Sequence, residues 1–324
     1  MKSISSNILI NEAKKMWYTV SIISNEFDIF VIKNKWQKRI FKNIDCWLNT
    51  SLGVRFSRYK NLSYFILNKY AIKVPQSFII SKKRKIDDIL DNIKKNNIDF
   101  PVVIKPATGE HGNGVSVNIT TQEELILAIK NALKFHHQVI IQEFFPWNDY
   151  RLFVVNHKLV AAIQRIPACV IGNGKSTIKK LIQEENQNPL RWDQHTNNLT
   201  KIKIDTELRI ILKNQWLTLQ SIIAKNKKLF LRKNANLSTW GTSVDITDKI
   251  HPEIKKMAEK ASKVLQLHVC GIDYLSVNIS TPLAEQKWGI IEANHTPWLR
   301  WHHFPTTGKP RNVAKKILQL AFKK

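Results

Sequence analysis

Cysteine is nearly absent. The chain has 3, Cys46, Cys169 and Cys270, far apart and without CxxC or Cys/His ligand spacing. That excludes a disulfide scaffold, a zinc ribbon and an iron–sulfur site, and it fits a reducing compartment. Glycine and proline are scarce, at 10 and 11, so collagen-like and low-complexity architectures are excluded. No stretch reaches the ~18–20 uninterrupted apolar residues of a bilayer span. The most apolar early run, from Trp17 to Ile32, is broken by Asn25, Glu26 and Asp28. The first residues lack the apolar core and small-residue cleavage site of a signal peptide, so a cytoplasmic protein without membrane contact is expected. Acidic residues are also short: 25 Asp+Glu against 51 Lys+Arg leave a net charge of +26. Such a field suits polyanions and phosphate-bearing small molecules. The lysines are spread along a chain rich in Ile and Asn instead of forming one arm or stripe, so nucleic-acid binding is not the expected role.

What is present is globular. Hydrophobic residues make up 43% of 324, enough for two or three packed subdomains at roughly 100–200 residues each. Periodicity predicts a helix over 8–15, strands over 18–23 and 27–32 and a helix over 61–70, an α/β unit that Val74-Pro75 ends because the residue before proline is pushed to extended geometry. A strand over 76–80, an amphipathic helix over 86–95, strands over 100–104 and 115–119 and a helix over 123–133 opened by Thr120-Thr121 follow. Beyond a strand over 139–144, a hairpin over 152–165 turns on Asn156-His157-Lys158. Helices over 177–186, 252–265 and 313–322 and strands over 270–277 and 288–292 complete the pattern. The expected boundaries are 1–74, 75–138 and 139–324, giving two α+β lobes around a cleft behind a small N-terminal α/β subdomain, with no internal repeat.

The segment Gly109-Glu110-His111-Gly112-Asn113-Gly114 lies between two strand patterns. It is not the GxGxxG of a dinucleotide fold, which needs a helix next. A glycine hairpin of this kind can fold over a triphosphate and present backbone N–H groups, or be a plain hairpin. Lys105 ends the preceding apolar strand where phosphates would lie, though a lone lysine can also simply reach solvent. The Walker-like stretch at 172–177 lacks the required first glycine and reads as a turn. Asp273, Glu292 and Asn294 stand at the ends of two strand patterns, an oxygen-only set that suits Mg²⁺ bound together with nucleotide phosphates, or ordinary strand-end polar residues.

Six stretches in order carry a resemblance over about 60–322. They are Phe100-Pro101-Val102-Val103-Ile104-Lys105-Pro106 with the glycine loop, Asp149-Tyr150-Arg151-Leu152, Arg165-Ile166-Pro167-Ala168, 231–239, Val244-Asp245-Ile246-Thr247-Asp248 and Ile291-Glu292-Ala293-Asn294. Together they resemble the ATP-grasp module of cyanophycin synthetase and of bifunctional glutathione synthetase. The resemblance implies the α+β ATP-grasp fold, with ATP and Mg²⁺ as cofactors. The implied activity is a carboxylate–amine ligase: ATP phosphorylates a carboxylate, and an amine attacks the acyl phosphate. Lys60, Lys105, Gly109, Gly112 and Gly114 then fall to the nucleotide, with Gln142 where a hinge glutamate is usual, Glu143 beside it, and Asp149 at the ribose. Asp273, Glu292 and Asn294 fall to magnesium, Arg165 and Arg232 to the acyl phosphate, and Arg151 to a substrate carboxylate.

The chain departs from that pattern on the substrate side. Ser238-Thr239-Trp240-Gly241 replaces Ser-Thr-Gly-Gly, and Trp298 and Trp301 follow Asn294 where small residues and glycine are usual. Trp240, Trp298 and Trp301 are expected to crowd the substrate side, with Trp240 and Gly241 against the substrate, or else to pack into the core and leave the pocket unchanged. The chain ends at Lys324 where cyanophycin synthetase continues into a Mur-ligase-like domain, so cyanophycin polymerisation by this chain alone is not expected. The expected partners are ATP and a small amino-acid or peptide substrate, with a homo-oligomer left open. A glutathione-synthetase-like ligase and a basic scaffold on a non-catalytic ATP-grasp shell are the alternatives.

Overall fold

The structure, a computed structural model, describes residues 3–81, 86–109, 113–188, 191–192, 199–232 and 241–323. Helix α1 (Ile4–Lys15) begins at Ser3, whose hydroxyl accepts from Ser6 N–H. It ends in a Schellman motif: Tyr18 N–H donates to Ala13 O at 3.0 Å, with Trp17 at φ 62°. This is the left-handed position that glycine usually fills, yet the Trp17 side chain is 94% exposed. Strands β1 (Thr19–Ser24), β2 (Ile29–Lys33) and β3 (Lys38–Lys42) form an antiparallel meander in the order β1-β2-β3. The chain therefore opens as a helix plus meander, not by strict α/β alternation. β3 escapes pattern reading because lysines and an arginine occupy most of its positions. Phe30 and Phe41 are register partners and stack with centroids 5.6 Å apart. They join Leu9 and Ala13 and, near the C-terminus, Ile317 and Leu318 in one buried core.

Helix α2 (Ser51–Arg58) is capped by Thr50. Its Gly53 lies where a Cβ would be 2.4 Å from Gln266 O, so only glycine permits the contact. Helix α3 (Lys60–Lys69) follows at once. Strands β4 (Ser77–Ser81), β5 (Val102–Pro106), β6 (Ser116–Ile119) and β7 (Gln138–Glu143), with helices α4 (Ile86–Lys95) and α5 (Gln122–Ala132), build a second sheet of order β4-β7-β5-β6, antiparallel throughout. One face buries Ile80, Val102, Ile104, Val139 and Ile141 against Ile89, Ile93, Leu125 and Ile129 of the helices. Strand alternation puts Val103, Lys105, Ile140 and Gln142 on the other face. Strands β8 (Asn148–Val155) and β9 (Lys158–Ile166) form the expected hairpin, its two turn residues Asn156 and His157 both at positive φ, 50° and 57°.

The segment Arg165–Val244 is a compact unit of its own, and Met1–Gln164 with Asp245–Lys324 is the other. The former contains β10 (Cys169–Ile171), α6 (Ile178–Asn186), β11 (Arg191–Trp192), β12 (Leu199–Thr200), α7 (Thr206–Lys213), β13 (Lys228–Phe230) and most of β14 (Thr242–Asp245). Its core includes Val170, Ile178, Ile182, Leu208 and Leu231. The Walker-like stretch is a turn, as expected: Asn173 Oδ1 accepts from Lys175 N and Ser176 N at 2.9 and 2.7 Å. At the end of α7, Leu217 N–H donates to Leu212 O at 2.9 Å, with Trp216 left-handed at φ 57° and 97% exposed.

The larger unit closes with α8 (Pro252–Val264), β15 (Val269–Ser276), β16 (Trp288–Asn294), α9 (Arg300–His303) and α10 (Val313–Ala321). β15 lies antiparallel between β8 and β16. Its register with β16 slips after Asp273, which pairs with Glu292, because Tyr274 pairs with Ile290 and leaves Ile291 as a bulge. All three cysteines are free. Among the described residues no helix is long and apolar enough to cross a membrane.

Candidate functional site

Strands β8, β15 and β16 carry three charges in one row. Arg151 and Glu292 are both register partners of Asp273, so the three side chains leave the same face of the sheet. The Arg151 guanidinium grips Asp273 twice, Nε against Oδ1 and Nη2 donating to Oδ2 at 3.1 Å. Glu292 Oε1 receives Lys60 Nζ at 3.1 Å from the first turn of α3. The same ammonium donates to Gly109 O at 3.1 Å. One lysine thus ties a helix start, a sheet carboxylate and the beginning of the glycine loop.

Lys105 comes from the opposing sheet and is buried. Its ammonium donates to Tyr64 Oη at 2.8 Å and sits 5.1 Å from the ring centroid. Tyr64 follows Lys60 by four residues on α3, so the two share a helix face. Its hydroxyl is 2.7 Å from Ile291 O, the carbonyl of the bulge, and 3.1 Å from Gln142 Oε1, and the single phenolic proton serves one of these at a time. Burial pushes the Lys105 ammonium down to about 7; Lys60 adds to that and Glu292 and Asp273 oppose it. Burial first, then Glu292 and Asp273, pushes the Tyr64 phenol well above its ordinary value, so it stays neutral.

The end of the row is shaped by Gly271, the register partner of Asn294. A Cβ there would meet Arg151 Cδ at 2.8 Å and Pro297 Cβ at 2.9 Å, so the missing side chain makes room for the guanidinium. Asn294 has a buried amide nitrogen with no hydrogen-bond partner among the described residues. Asp273, Glu292 and Asn294 form an all-oxygen donor set of the kind hard cations take, although among the described residues no three His, Cys, Asp or Glu cluster as a metal site. The donor set fits a cation whose remaining ligands come from water and a phosphate.

Other expected residues are placed as follows. Asp149 precedes Arg151 by two on β8 and shares its face. Gly109 and Gly114 have φ of 139° and 71°, and a Cβ on Gly114 would strike Phe135 and Pro106; Gly112 and Trp240 lie outside the described residues. Gln142 faces Tyr64, whereas Glu143, in register with Val102, accepts from Gln76 N at 3.2 Å away from the charged row. Arg165, Arg232 and Gly241 belong to the smaller unit, where all three are buried. Arg232 bonds Asp205, the N-cap of α7, and lies 3.5 Å from Glu207 Oε2. Trp301 is buried and stacks on half-buried Trp298 at 5.3 Å, with the Arg300 guanidinium 5.6 and 5.4 Å from Trp298 and Trp301. Trp301 thus packs beside a buried arginine. Tyr64 was not expected in the site at all. Its only signal in the sequence is its spacing of four from Lys60.

Residues 57–191 match the RimK-like ATP-grasp domain. The chain carries a RimK-like ATP-grasp domain. Over 273 residues it is 38% identical to cyanophycin synthetase of Geminocystis herdmanii, covering 84% of this chain and 31% of that one. Over 262 residues it is 38% identical to the glutathione biosynthesis bifunctional protein GshAB of Clostridium perfringens, covering 79% and 33%. The crystal structure of a bifunctional glutathione synthetase from Pasteurella multocida matches with a TM-score of 0.74 at 26% identity, over 99% of this chain and 44% of that one. The α+β ATP-grasp fold implied by the resemblance is the observed fold. The ATP-grasp chain spans about a third of the length of these two curated relatives.

Proposed function

We propose that this chain is an ADP-forming ligase that joins an amino-acid or peptide carboxylate to an amine. The observation that carries the reading is the meeting of two buried lysines, Lys60 and Lys105, with Asp273 and Glu292 in one site built by both sheets. Lys105 and Lys60 would hold ATP phosphates beside the glycine loop, and Asp149 would take the ribose hydroxyls. Asp273, Glu292 and Asn294 would hold Mg²⁺, which when bound neutralises charge on the transferring phosphoryl oxygens. With Asp273 given to the cation, the Arg151 fork would be free to take the substrate carboxylate in a bidentate pair. A carboxylate oxygen attacks the γ-phosphorus and ADP leaves. The amine then attacks the acyl carbon, phosphate leaves, and the nitrogen gives up a proton to yield the amide. Arg165 and Arg232 are proposed to neutralise the acyl phosphate, with Trp240 and Gly241 near the substrate.

The test is ADP release with Mg²⁺ and ATP across amino acids, dipeptides and γ-glutamyl dipeptides with glycine. Release that depends on a carboxylate and amine pair supports the reading, and the productive pair names the substrate. ATP binding without release for any pair supports a non-catalytic shell instead.

A further inference from the structure

We propose that Tyr64 is a positioning residue for nucleotide binding: its hydroxyl holds the Lys105 ammonium at the phosphate end of the site and fastens it to the bulge of the opposite sheet. The inference rests on the reading of this site as an ATP site. Lys105 is long and flexible, and holding a buried ammonium in one place needs an acceptor, because an unpartnered buried cation is costly. The described hydrogen bonds give it the phenolic oxygen at 2.8 Å. That oxygen is itself fixed, since its proton is directed to Ile291 O at 2.7 Å or Gln142 Oε1 at 3.1 Å. Ile291 O is available because the register slip between Asp273 and Tyr274 takes Ile291 out of the ladder. With its proton on Ile291 O, the phenol joins β5, through Lys105, to β16 on the other wall. It does so one helical turn from Lys60, which holds Glu292 and the start of the glycine loop.

A phenol is suited to this task. It accepts from the ammonium while donating elsewhere, and it carries no charge of its own to compete with phosphate. When phosphate arrives, the ammonium keeps the phenolic acceptor and offers its remaining N–H groups to the anion, so the lysine does not have to be ordered at that moment, which lowers the cost of binding.

The experiment is a double-mutant cycle on Mg-ATP binding by calorimetry with Tyr64→Phe and Lys105→Ala, each variant checked for folding by circular dichroism. Tyr64→Phe is expected to weaken ATP about tenfold, the size of one hydrogen bond to a charged group. It is expected to leave adenosine binding unchanged and to cost nothing further in the Lys105→Ala background. Equal losses for ATP and adenosine, independent effects in the cycle, or an unchanged ATP affinity would each overturn the proposal. Should Tyr64→Phe not fold, Tyr64→His keeps a ring and an acceptor and is expected to retain part of the ATP-over-adenosine preference; no preference, or the full wild-type preference, overturns it. A wild-type protein that binds no ATP refutes the underlying reading, an outcome distinct from all of these.

Discussion

Arg151 and Asp273 stand opposite each other on adjacent antiparallel strands, and the guanidinium engages both carboxylate oxygens. Both side chains are almost fully buried, so removing one partner leaves the other charge stranded. Arg151→Gln is expected to lower stability by about 3 kcal/mol in metal-free buffer. Mg²⁺ or Mn²⁺ should restore part of the loss by binding the freed carboxylate in the folded state only. Thermal melts with and without the metal check this. A variant whose melting ignores divalent cations would show that Asp273 is not a metal ligand.

Lys105 sets a pH dependence. In the folded protein its ammonium titrates near 7 instead of the ordinary 10.5. Between those values the unfolded chain holds a proton that the folded one has lost, so stability rises with pH across that window and this gain is absent below it. Phosphate binding needs the cation, so ATP affinity should fall as pH rises through about 7, with proton uptake on binding above it. Melts and calorimetry in buffers of differing ionisation enthalpy read both effects, and Lys105→Met should flatten both. A Lys105→Met protein with the wild-type pH slope contradicts the assignment.

Glu292→Gln keeps the volume at the end of the charged row and removes its charge. It should still fold, with a modest loss of stability because Lys60 keeps an acceptor but loses its counter-charge, and lose about a hundredfold or more of the proposed ADP-forming turnover. Circular dichroism and ADP release, measured together, separate this from a structural role, in which activity and folding would fall in step.

Trp216 makes a conformational prediction. An L-residue held left-handed costs roughly 1 kcal/mol, and a side chain 97% exposed has almost no packing to lose. Trp216→Gly should therefore stabilise the fold by up to about 0.5 kcal/mol once the entropy of the freer unfolded chain is subtracted. Urea denaturation gives the answer, and a destabilised variant would mean that the indole makes contacts worth more than the backbone cost.

The sequence was most legible where local chemistry and burial agree. Helix α4 has the predicted bounds because its apolar positions at Ile86, Ile89, Leu90 and Ile93 fall on one face. The β8–β9 turn was readable because Asn tolerates positive φ. β3 and α2 were not: lysines line one, and the other is a single short helix with a glycine whose purpose is a contact more than 200 residues away. In the site, Lys105, Asp273 and Glu292 could be singled out as charges inside apolar strands. Tyr64 could not, since a tyrosine on an amphipathic helix reads as core. The Ile291 bulge depends on pairing between strands that no local pattern encodes.

Trp17 and Trp216 both end helices in the left-handed position that glycine usually fills, with their indoles in solvent. Neither indole gains packing in return for its backbone conformation, so these two helix ends are places where the chain can be made more stable without disturbing its cores or its charged row.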